Sequence, residues 1–397
     1  MDNELRIMIA AGGTGGHVFP AIAIADAIRE EMESSRFLFV GTRARMEWRA
    51  VPAAGYEIAP VWISGLHRRL TLKNLLFPLK LIVSLFQSWN LIRRFRPHAM
   101  ISCGGFAAGP AGWMAIRMGI PLFIQEQNSY PGVTNRRLAS GARRIFIAFD
   151  EARPWFPDGK TVLAGNPVRR QLIGKLADPS FPDAARKQFH FDRERPVLLV
   201  MGGSGGAKSI NEAMLKHLDT FLGADGIQVI WQCGDAYLDD ILKKLQSEPG
   251  DDVRREGLRL YGFLDDITSA WAAADVIVSR AGAITCSELL ATGKAGILVP
   301  SPHVAGDHQT HNAKALARHG AAVLLQDKDL TEKLPDTVRM LVNDPSKRRD
   351  IEQKARAMAK EEAAKEIAKS IIRCLRDSGD HRDDGNPASP YQSDSKS

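Results

Sequence analysis

The stretch MIAAGGTGGHVFPAIAIADAI, Met8–Ile28, decides the fold of this chain. It begins inside a short apolar run, LRIMIA (Leu5–Ala10), and connects that run through four glycines to a helical pattern. A near copy, LVMGGSGGAKSINEAM, occurs at Leu199–Met214. A strand, a glycine turn and a helix form the opening unit of a Rossmann-like domain. The chain therefore predicts two such units, opened by the first glycine loop (Gly12–Gly16) and the second glycine loop (Gly202–Gly206).

Further apolar runs follow each opening unit and stop in polar or glycine loops. The predicted strands are FLFVG, AMISCGG, PLFIQEQN, IQVIWQCG, DVIVSRAG and GILVPSP. We expect the first helix to begin near Pro20 and one long charged helix to follow Pro345. Strands that alternate with helices indicate parallel sheets. The predicted fold class is α/β, with two tandem Rossmann-like domains facing a cleft that binds ligands beyond the carboxyl ends of the strands.

The chain of 397 residues is too long for one ordinary hydrophobic core. We expect a first Rossmann-like domain over 1–166 and a second over 167–350. A helix over 351–376 is expected to pack back across the first domain. The polar segment 377–397 is short of apolar residues and is expected to be disordered.

Composition describes a soluble globular protein, with 44% hydrophobic and 25% charged residues. Its four cysteines, Cys103, Cys233, Cys286 and Cys374, form no C-x-x-C pair, which suits a reducing compartment. No run of eighteen apolar residues occurs, and the first residues do not resemble a signal peptide. We therefore expect a cytoplasmic protein without a membrane-spanning segment.

Glycine loops before helices let a ligand approach the backbone and direct free N–H groups and a positive dipole end towards it. That chemistry suits a phosphate or a sugar. Val18 stands where a dinucleotide motif needs glycine or alanine, and the second strand ends in VGTRA without the acid that a nicotinamide enzyme needs. Neither loop ends in the G-K-[ST] of a P-loop. A tight turn without a ligand remains the alternative for either loop taken alone.

Two regions carry polar side chains that are candidates for chemistry. His17, on the lip of the first loop, is a candidate base because histidine titrates near neutrality; a cap or surface role is the alternative. In SRAGAITCSELLATGKAGILVP, Thr285 and Ser287 are expected to cap a helix with Glu288 in its first turn. Glu288 can accept from a ribose diol while the helix start holds a diphosphate, or it can simply complement the helix dipole.

A second polar group is expected at the start of a later helix, in GDHQTHNAKAL. It consists of Asp307, His308, Gln309 and Asn312. Amide and acid side chains of this kind fit sugar hydroxyls, which need donors and acceptors. The neighbouring histidines match no zinc spacing, so no metal site is predicted.

Eight motifs then occur in a fixed order. They are GGTGGHVFPAIAIA, GGFAAGP, QEQNSYPGVTNRRLA, GNPVR, GGSGGA, GFLDDI, SRAGAITCSE and DHQTHNA. Over about residues 5 to 375 the chain resembles the bacterial N-acetylglucosaminyltransferases that convert lipid I into lipid II in peptidoglycan synthesis. The resemblance implies the two-domain GT-B architecture and UDP-GlcNAc as the sugar donor.

The resemblance also implies a set of contacts to the sugar donor. The matching residues are Thr14, Gly15, Gly16, Asn128, Arg169, Ser204, Leu264, Ala283, Ile284, Thr285, Cys286, Ser287, Glu288 and Gln309. In that set the diphosphate meets Ser204, the uracil the backbone of Leu264, and the GlcNAc hydroxyls Gln309. Two positions depart from the pattern: Gln125 stands where many relatives have His, and Phe106, on the acceptor side, where others have Tyr.

The implied reaction is a single displacement with inversion, in which a MurNAc hydroxyl of lipid I attacks C1 of GlcNAc and UDP leaves. Such a reaction needs a base and stabilisation of the leaving diphosphate. We expect His17 to be the base, with Glu126 in reserve if its pocket raises the pKa. Ser204, the second-loop amides and the helix starting near Ala283 would stabilise the diphosphate. No D-x-D metal motif in a suitable loop is evident, and no cofactor is expected to be required.

The net charge of +7 is concentrated in Ile58–Gln125, which has eight Lys and Arg and no Asp or Glu. Within it, HRRLTLKNLLFPLKLIVSLFQSWNLIRRFR combines cations with apolar residues. Anionic lipid attracts each nearby cation by about 1 kcal/mol, while apolar side chains enter the interface. We expect contact with the acceptor and the cytoplasmic membrane face through Arg68, Arg69, Lys73, Leu75, Leu76, Phe77, Lys80 and Trp89. The alternative is a buried helix with a solvated basic edge.

Other functions remain open on the sequence. A UDP-GlcNAc 2-epimerase shares the two-domain architecture and consumes its substrate without an acceptor, and a glycolipid synthase of another pathway is a further candidate. A nicotinamide oxidoreductase is disfavoured by the loop sequences. Nucleic-acid binding would rest only on the basic segment, which carries no known motif, so no nucleic-acid partner is expected.

Overall fold

The fold is seen in a computed structural model, which describes residues 4–43, 45–65, 76–246 and 256–379. Two parallel sheets, each covered by helices, lie on either side of a cleft. Their strands are almost continuously apolar and buried, as in VLLVM of the second half, because helices cover both faces. Within the described residues, no helix is long and apolar enough to cross a membrane.

The first sheet has seven strands in the order β3-β2-β1-β4-β5-β6-β7. They are β1 (Leu5–Ala10), β2 (Ser35–Gly41), β3 (Glu57–Pro60), β4 (Ala99–Ser102), β5 (Leu122–Glu126), β6 (Ala142–Ile147) and β7 (Thr161–Leu163). The helices between them are α1 (Gly15–Glu31), α2 (Glu47–Ala53), α3 (Phe77–Phe95), α4 (Ala108–Arg117) and α5 (Val133–Leu138). The strand order changes direction between β1 and β4, which opens a crevice at their carboxyl ends.

The second sheet repeats this order with six strands, β10-β9-β8-β11-β12-β13. They are β8 (Val197–Met201), β9 (Gln228–Gln232), β10 (Leu258–Tyr261), β11 (Val276–Ser279), β12 (Ala295–Leu298) and β13 (Val323–Leu324). The helices are α6 (Arg170–Leu176), α7 (Phe181–Gln188), α8 (Lys208–Leu222), α9 (Asp235–Gln246), α10 (Ile267–Ala273), α11 (Ala283–Thr292), α12 (His308–Arg318) and α13 (Leu330–Asn343). The equivalent crevice lies between β8 and β11.

The end of the described chain differs from the expected single long helix. It forms α14 (Pro345–Met358) and α15 (Ala363–Gly379), separated where Ala359 adopts extended backbone. The first of these helices packs on α11 in the second domain, and the second packs on α1 in the first domain. The break is therefore where the chain returns from one domain to the other. It passes Gly165, where an added Cβ would lie 2.3 Å from the Cβ of Lys360.

The start of α1 also differs from expectation. The helix begins at Gly15 rather than near Pro20, so His17 lies in its first turn and Pro20 inside the helix. Glycine is a poor helix former and proline favours the first helical turn, so the sequence pattern indicated a later start. The earlier start brings the helix N-terminus into the glycine loop itself.

Candidate functional site

One cleft of about 2760 Å³ lies between the domains and is lined by both glycine loops. Ordinary ligand pockets have volumes of roughly 300–1,000 Å³. The cleft is thus large enough for two substrates at once. It brings together Thr14, Gly15, Gly16, His17, Phe106, Glu126, Asn128, Arg169, Ser204, Leu264, Ala283, Ile284, Thr285, Glu288 and Gln309.

The first glycine loop is fixed from two sides. An added Cβ at Gly105, after β4, would lie 2.3 Å from the carbonyl oxygen of Gly12, so only glycine allows this approach. On the other side, the fully buried carboxylate of Glu47 accepts from the Gly13 N–H at 3.0 Å and from the N–H and hydroxyl of Thr42 at 3.0 and 2.8 Å. The Gly13 amide is therefore already occupied. A negative charge behind this loop also makes it a poorer anion site than its copy.

His17 is held against the end of β4 and the residue after β5. Its Nδ1 lies 2.9 Å from Oε1 of Gln127, and an added Cβ at Gly104 would lie 3.1 Å from the same ring. The ring thus has one orientation, with Nδ1 directed into the first domain. Gln127 was not among the predicted site residues, because nothing in its place between Glu126 and Asn128 distinguishes its side chain.

Glu126 is buried and surrounded by hydrogen-bond donors. It accepts from the N–H groups of Asn128 and Gly132 at 3.0 and 3.1 Å, and from the side-chain amides of Asn128 and Asn135 at 3.2 and 2.9 Å. A carboxylate with four such bonds is held as an acceptor. This geometry makes Glu126 the support of the loop that carries Asn128 and a poor reserve base.

The second glycine loop approaches the backbone after β9 even more closely. An added Cβ at Gly206 would lie 1.9 Å from the carbonyl oxygen of Cys233. Gln232 donates to the carbonyl oxygens of Gly203 and Gly262 at 3.1 Å each, which fixes the loop from below. Ser204, at the loop tip, is exposed to the cleft. The loop precedes α8, whose N-terminal amides face the same space, so this is the better anion site.

A cationic side chain that sequence reasoning missed lies next to this loop. Arg280 lines the cleft, donates to Ser209 Oγ at 2.8 Å and pairs with Asp327. Its side chain is only 13% exposed, and it also donates to the carbonyl oxygens of Val299 and Pro300. Arg280 therefore presents a fixed positive charge beside the second loop. Its place near the end of the predicted run DVIVSRAG, directly after the observed strand β11, was the signal in the sequence.

Helix α11 carries most of the predicted sugar-donor segment, with three corrections. Gly282, not Thr285 or Ser287, is the N-cap residue, and the Ser287 hydroxyl donates back to the Ala283 carbonyl at 3.0 Å. Glu288 consequently lies in the second turn, buried, and accepts from Arg169 Nε at 2.6 Å. Cys286 was expected to contact the sugar donor, but it points into the core of the second domain and does not line the cleft. Burial raises the pKa of its thiol.

Helix α12 joins the two domains at the far wall of the cleft. Asn312 is fully buried; its Oδ1 accepts from the Ser129 N–H at 2.9 Å, and its Nδ2 donates to Asn128 Oδ1 and to the Ala281 carbonyl at 3.2 Å each. One turn earlier, Gln309 accepts from the Ser301 N–H at 2.8 Å. The predicted amide cluster is therefore present, and Asn312 serves the contact between domains.

Four of the predicted membrane residues are described by the structure, and they do not line the cleft. Leu76, Phe77, Lys80 and Trp89 are on or next to α3, where Leu76 is exposed and Phe77 packs against the first-domain core. Arg68, Arg69, Lys73 and Leu75 lie outside the described residues. Within the described part of the chain, no group of three His, Cys, Asp or Glu side chains is placed to hold a metal ion.

Two family models match this chain, one over each domain. A model of the glycosyltransferase family 28 N-terminal domain matches residues 7–147, and one of the family's C-terminal domain matches residues 197–371. The chain belongs to glycosyltransferase family 28. These matches confirm the predicted two-domain GT-B architecture and the resemblance to glycosyltransferases.

Two relatives are similar along nearly the whole length. The chain is 44% identical over 367 residues to the UDP-N-acetylglucosamine--N-acetylmuramyl-(pentapeptide) pyrophosphoryl-undecaprenol N-acetylglucosamine transferase of Salinibacter ruber, covering 92% of this chain and 96% of that relative. It superposes on the crystal structure of Acinetobacter baumannii MurG with a TM-score of 0.73 and 28% identity, covering 93% and 99% of the two chains.

A solved UDP-GlcNAc 2-epimerase from Neisseria meningitidis, bound to UDP-GlcNAc, also superposes on this chain. Its TM-score is 0.63 at 13% identity, over 93% of this chain and all of the other. At that identity the likeness shows the shared fold alone.

Proposed function

We propose that this family 28 glycosyltransferase moves GlcNAc from UDP-GlcNAc to the MurNAc hydroxyl of undecaprenyl-diphospho-MurNAc-peptide, lipid I, giving lipid II and UDP. The observation that carries the proposal is the cleft between the domains, with the second glycine loop on one wall and a fixed histidine on the other. Similarity over nearly the whole chain to transferases named for this activity supports the proposal.

The proposed reaction is one displacement with inversion. The acceptor hydroxyl attacks C1 of GlcNAc, His17 takes up the hydroxyl proton, and the bond from C1 to the diphosphate oxygen breaks as UDP leaves. In this proposal the departing diphosphate is stabilised by the second-loop amides, Ser204, the N-terminus of α11 and Arg280, which is held by its pair with Asp327. In this proposal the ribose meets Arg169 and Glu288, which bond to each other in the cleft wall, and the sugar meets Gln309 and Asn128.

The proposed stabilisation of UDP uses these protein groups and no cofactor or metal. Two carboxylates of the second domain already have partners: Asp327, which lines the cleft, pairs with Arg280, and Asp266 accepts from Ser269 at the start of α10. Burial alone would raise the pKa of Asp266, but hydrogen bonds from Ser269 and Gln188 outweigh burial and lower it. We therefore expect transfer to continue in the presence of a chelator.

The proposed location is the cytoplasmic face of the plasma membrane, with contact through α3. This helix buries two serines, Ser84 and Ser88, and exposes Leu79, Ile82 and Phe86 on its outer face. Ile82 and Phe86 are 65% and 66% exposed, so part of the apolar surface of the helix faces outward. Cations flank it at Lys80, Arg93 and Arg94. An apolar outer face between cations fits an anionic lipid surface.

The deciding experiment incubates the protein with radiolabelled UDP-GlcNAc, with and without a lipid I analogue, and with and without a chelator. Label that enters the lipid fraction only with the analogue, with stoichiometric UDP, supports the proposal. Labelled ManNAc or UDP formed without an acceptor would favour the epimerase instead. Loss of transfer with the chelator, restored by a divalent cation, would overturn the metal-free step alone.

A further inference from the structure

The side chains around His17 form a continuous chain of buried amides that ends in the second domain. Gln127 Nε2 donates to the Cys103 carbonyl at 2.8 Å and to Oε1 of Gln125. Gln125 Nε2 donates to Asn166 Oδ1 at 2.8 Å, and Asn166 Nδ2 donates to Ser287 Oγ on α11 at 3.0 Å. Gln125, Gln127 and Asn166 are each at most 2% exposed.

Two backbone carbonyls fix the direction of every amide in this chain. The Asn166 side chain faces the carbonyl oxygen of Gln127 at 2.9 Å, which only accepts, so the NH₂ group must be there and Oδ1 must face Gln125. Gln125 must then present its NH₂ group to Asn166 and its oxygen to Gln127. The Cys103 carbonyl makes the same demand on Gln127 independently. Reversing any one amide would bring two oxygens together in a buried site.

The oxygen of Gln127 therefore faces His17 and can only accept. Since Gln127 Oε1 lies 2.9 Å from Nδ1, His17 must carry its proton on Nδ1. Nε2 is then the basic nitrogen, and among the described residues no hydrogen-bond partner occupies it. In this way the amides select one of the two neutral forms of the imidazole.

We propose that Gln127 is the positioning residue for His17, fixing the Nδ1–H tautomer through the buried chain Gln127–Gln125–Asn166–Ser287. The inference rests on the proposed function for the role of His17 as base, but the tautomer itself does not. An amide partner also suits this site chemically, because it accepts from Nδ1 without placing a further negative charge near two substrates that both carry diphosphate. It cannot take up a proton, so the proton abstracted from the acceptor stays on the His17 ring until Nε2 releases it.

The test uses the full-length protein with ¹⁵N-labelled histidine. Long-range ¹H–¹⁵N correlation spectra, recorded above the pH at which histidine titrates, show which ring nitrogen carries hydrogen, and His17→Ala identifies the signal. We expect Nδ1–H in the wild type. Nε2–H there would overturn the proposal without any variant. We expect Gln127→Met to lose the preference for Nδ1–H and to lower kcat by tenfold or more, with the Kd for UDP unchanged.

The matched control is Gln353→Met, the same change at an exposed position on α14. It is expected to leave both the spectrum and kcat unchanged. A Gln127→Met protein that binds UDP normally and keeps both the Nδ1–H signal and full kcat would contradict the positioning role. If instead His17→Ala retains full turnover, the proposed base fails while the tautomer assignment stands, so the two failures are distinguishable.

Discussion

At the scale of single residues, two glycine loops with nearly the same sequence differ in what stands behind them. The first has the buried carboxylate of Glu47 bonded to the Gly13 amide, whereas Arg280 lies beside the second. Backbone amides attract anions only where no fixed anion already uses them. The repeat was visible in the sequence, but Glu47 acts from 34 residues away, so this electrostatic difference was not. The position of His17 at the cleft, by contrast, could be predicted because this residue directly follows the first glycine loop.

Replacing His17 should separate chemistry from binding. General base catalysis contributes about 10²–10⁴-fold in rate, so we expect His17→Ala to lower kcat by at least about a hundredfold. The Kd for UDP should change little, since the second domain carries the anion site. Pre-steady-state transfer and UDP titration measure the two quantities. His217→Ala, on α8 outside the cleft, is the control. Weaker UDP binding with an unchanged single-turnover rate would remove His17 from the base role.

At the scale of elements, most of the strands next to the cleft could be predicted because they are short apolar runs that end in glycine or polar loops. Strand β6, ARRIFI, was missed because Arg143 and Arg144 are exposed and interrupt the apolar pattern. The orientation of α3 was also not readable from composition. A helix rich in Leu, Ile and Phe normally buries most of them, and only the packing shows that Ser84 and Ser88 face inward beside Ile92 while Ile82 and Phe86 remain exposed.

This orientation of α3 gives a direct test of membrane contact. Each large apolar side chain that leaves water contributes about 1.5–3 kcal/mol when fully buried. We expect the double variant Ile82→Glu/Phe86→Glu to bind anionic vesicles at least about tenfold more weakly in sedimentation assays, while transfer to a water-soluble acceptor persists. Ser346→Glu/Gln353→Glu adds the same charge to the exposed face of α14 and is the control. Equal binding of all three proteins would exclude α3 as the contact.

The carbonyl oxygens at the end of a second element, α10, accept from a partly buried lysine, Lys294. Lys294 Nζ donates to the carbonyl oxygens of Ala272 and Ala274 at 3.2 and 2.6 Å. Burial lowers the pKa of Lys294 from 10.5 to about 8. The charged groups facing it are Asp275 and Glu352, which raise the pKa, and Arg186 and Arg356, which lower it further. The folded protein therefore binds fewer protons at this residue than the unfolded chain between these two pH values.

Stability at this position should consequently rise with pH. Below pH 8 Lys294 is protonated in both the folded and the unfolded protein, so the cost of desolvating its charge is constant. Between pH 8 and 10.5 the folded protein loses this proton while the unfolded chain keeps it, and the cost disappears. We expect the free energy of unfolding of the wild type, relative to Lys294→Met, to increase by about 3 kcal/mol over this range. Denaturant titrations of both proteins at several pH values measure it. The subtraction removes the contributions of the buried thiols and Tyr56, and a constant difference would contradict the burial of a charged Lys294.

At the scale of the whole molecule, the contact between domains combines surface pairs, Arg170 with Glu30 and His319 with Glu151, with hydrogen bonds between buried side chains. Asn312 and Asn166 each bond to groups of the opposite domain and are at most 2% exposed. The sequence motifs that contain Asn166 and Asn312 were recognised, and DHQTHNA was interpreted as a sugar-binding site. Its use as a contact between domains could not be predicted, because the partner loop, around Ser129, is 183 residues away.

Removing this contact should affect the sugar and not the nucleotide. We expect Asn312→Ala to release the loop that carries Asn128, raising the KM for UDP-GlcNAc by about tenfold, about 1.4 kcal/mol. The Kd for UDP should be unchanged, since the second domain holds it. Steady-state kinetics and calorimetry measure the two values, with Asn343→Ala at the exposed end of α13 as control. Equal loss for UDP and UDP-GlcNAc would place the role of Asn312 within the second domain.

The return of the chain to its starting domain has a consequence for biosynthesis. Ile367, Ala368, Ile371, Ile372 and Cys374 of α15 complete the core around α1. A ribosome therefore makes the first sheet early but supplies the last part of its core only after the entire second domain has emerged. Until then the apolar face of α1 that α15 covers stays open to solvent. Nascent chains halted before residue 363 should accordingly recruit chaperones for longer than the finished polypeptide does.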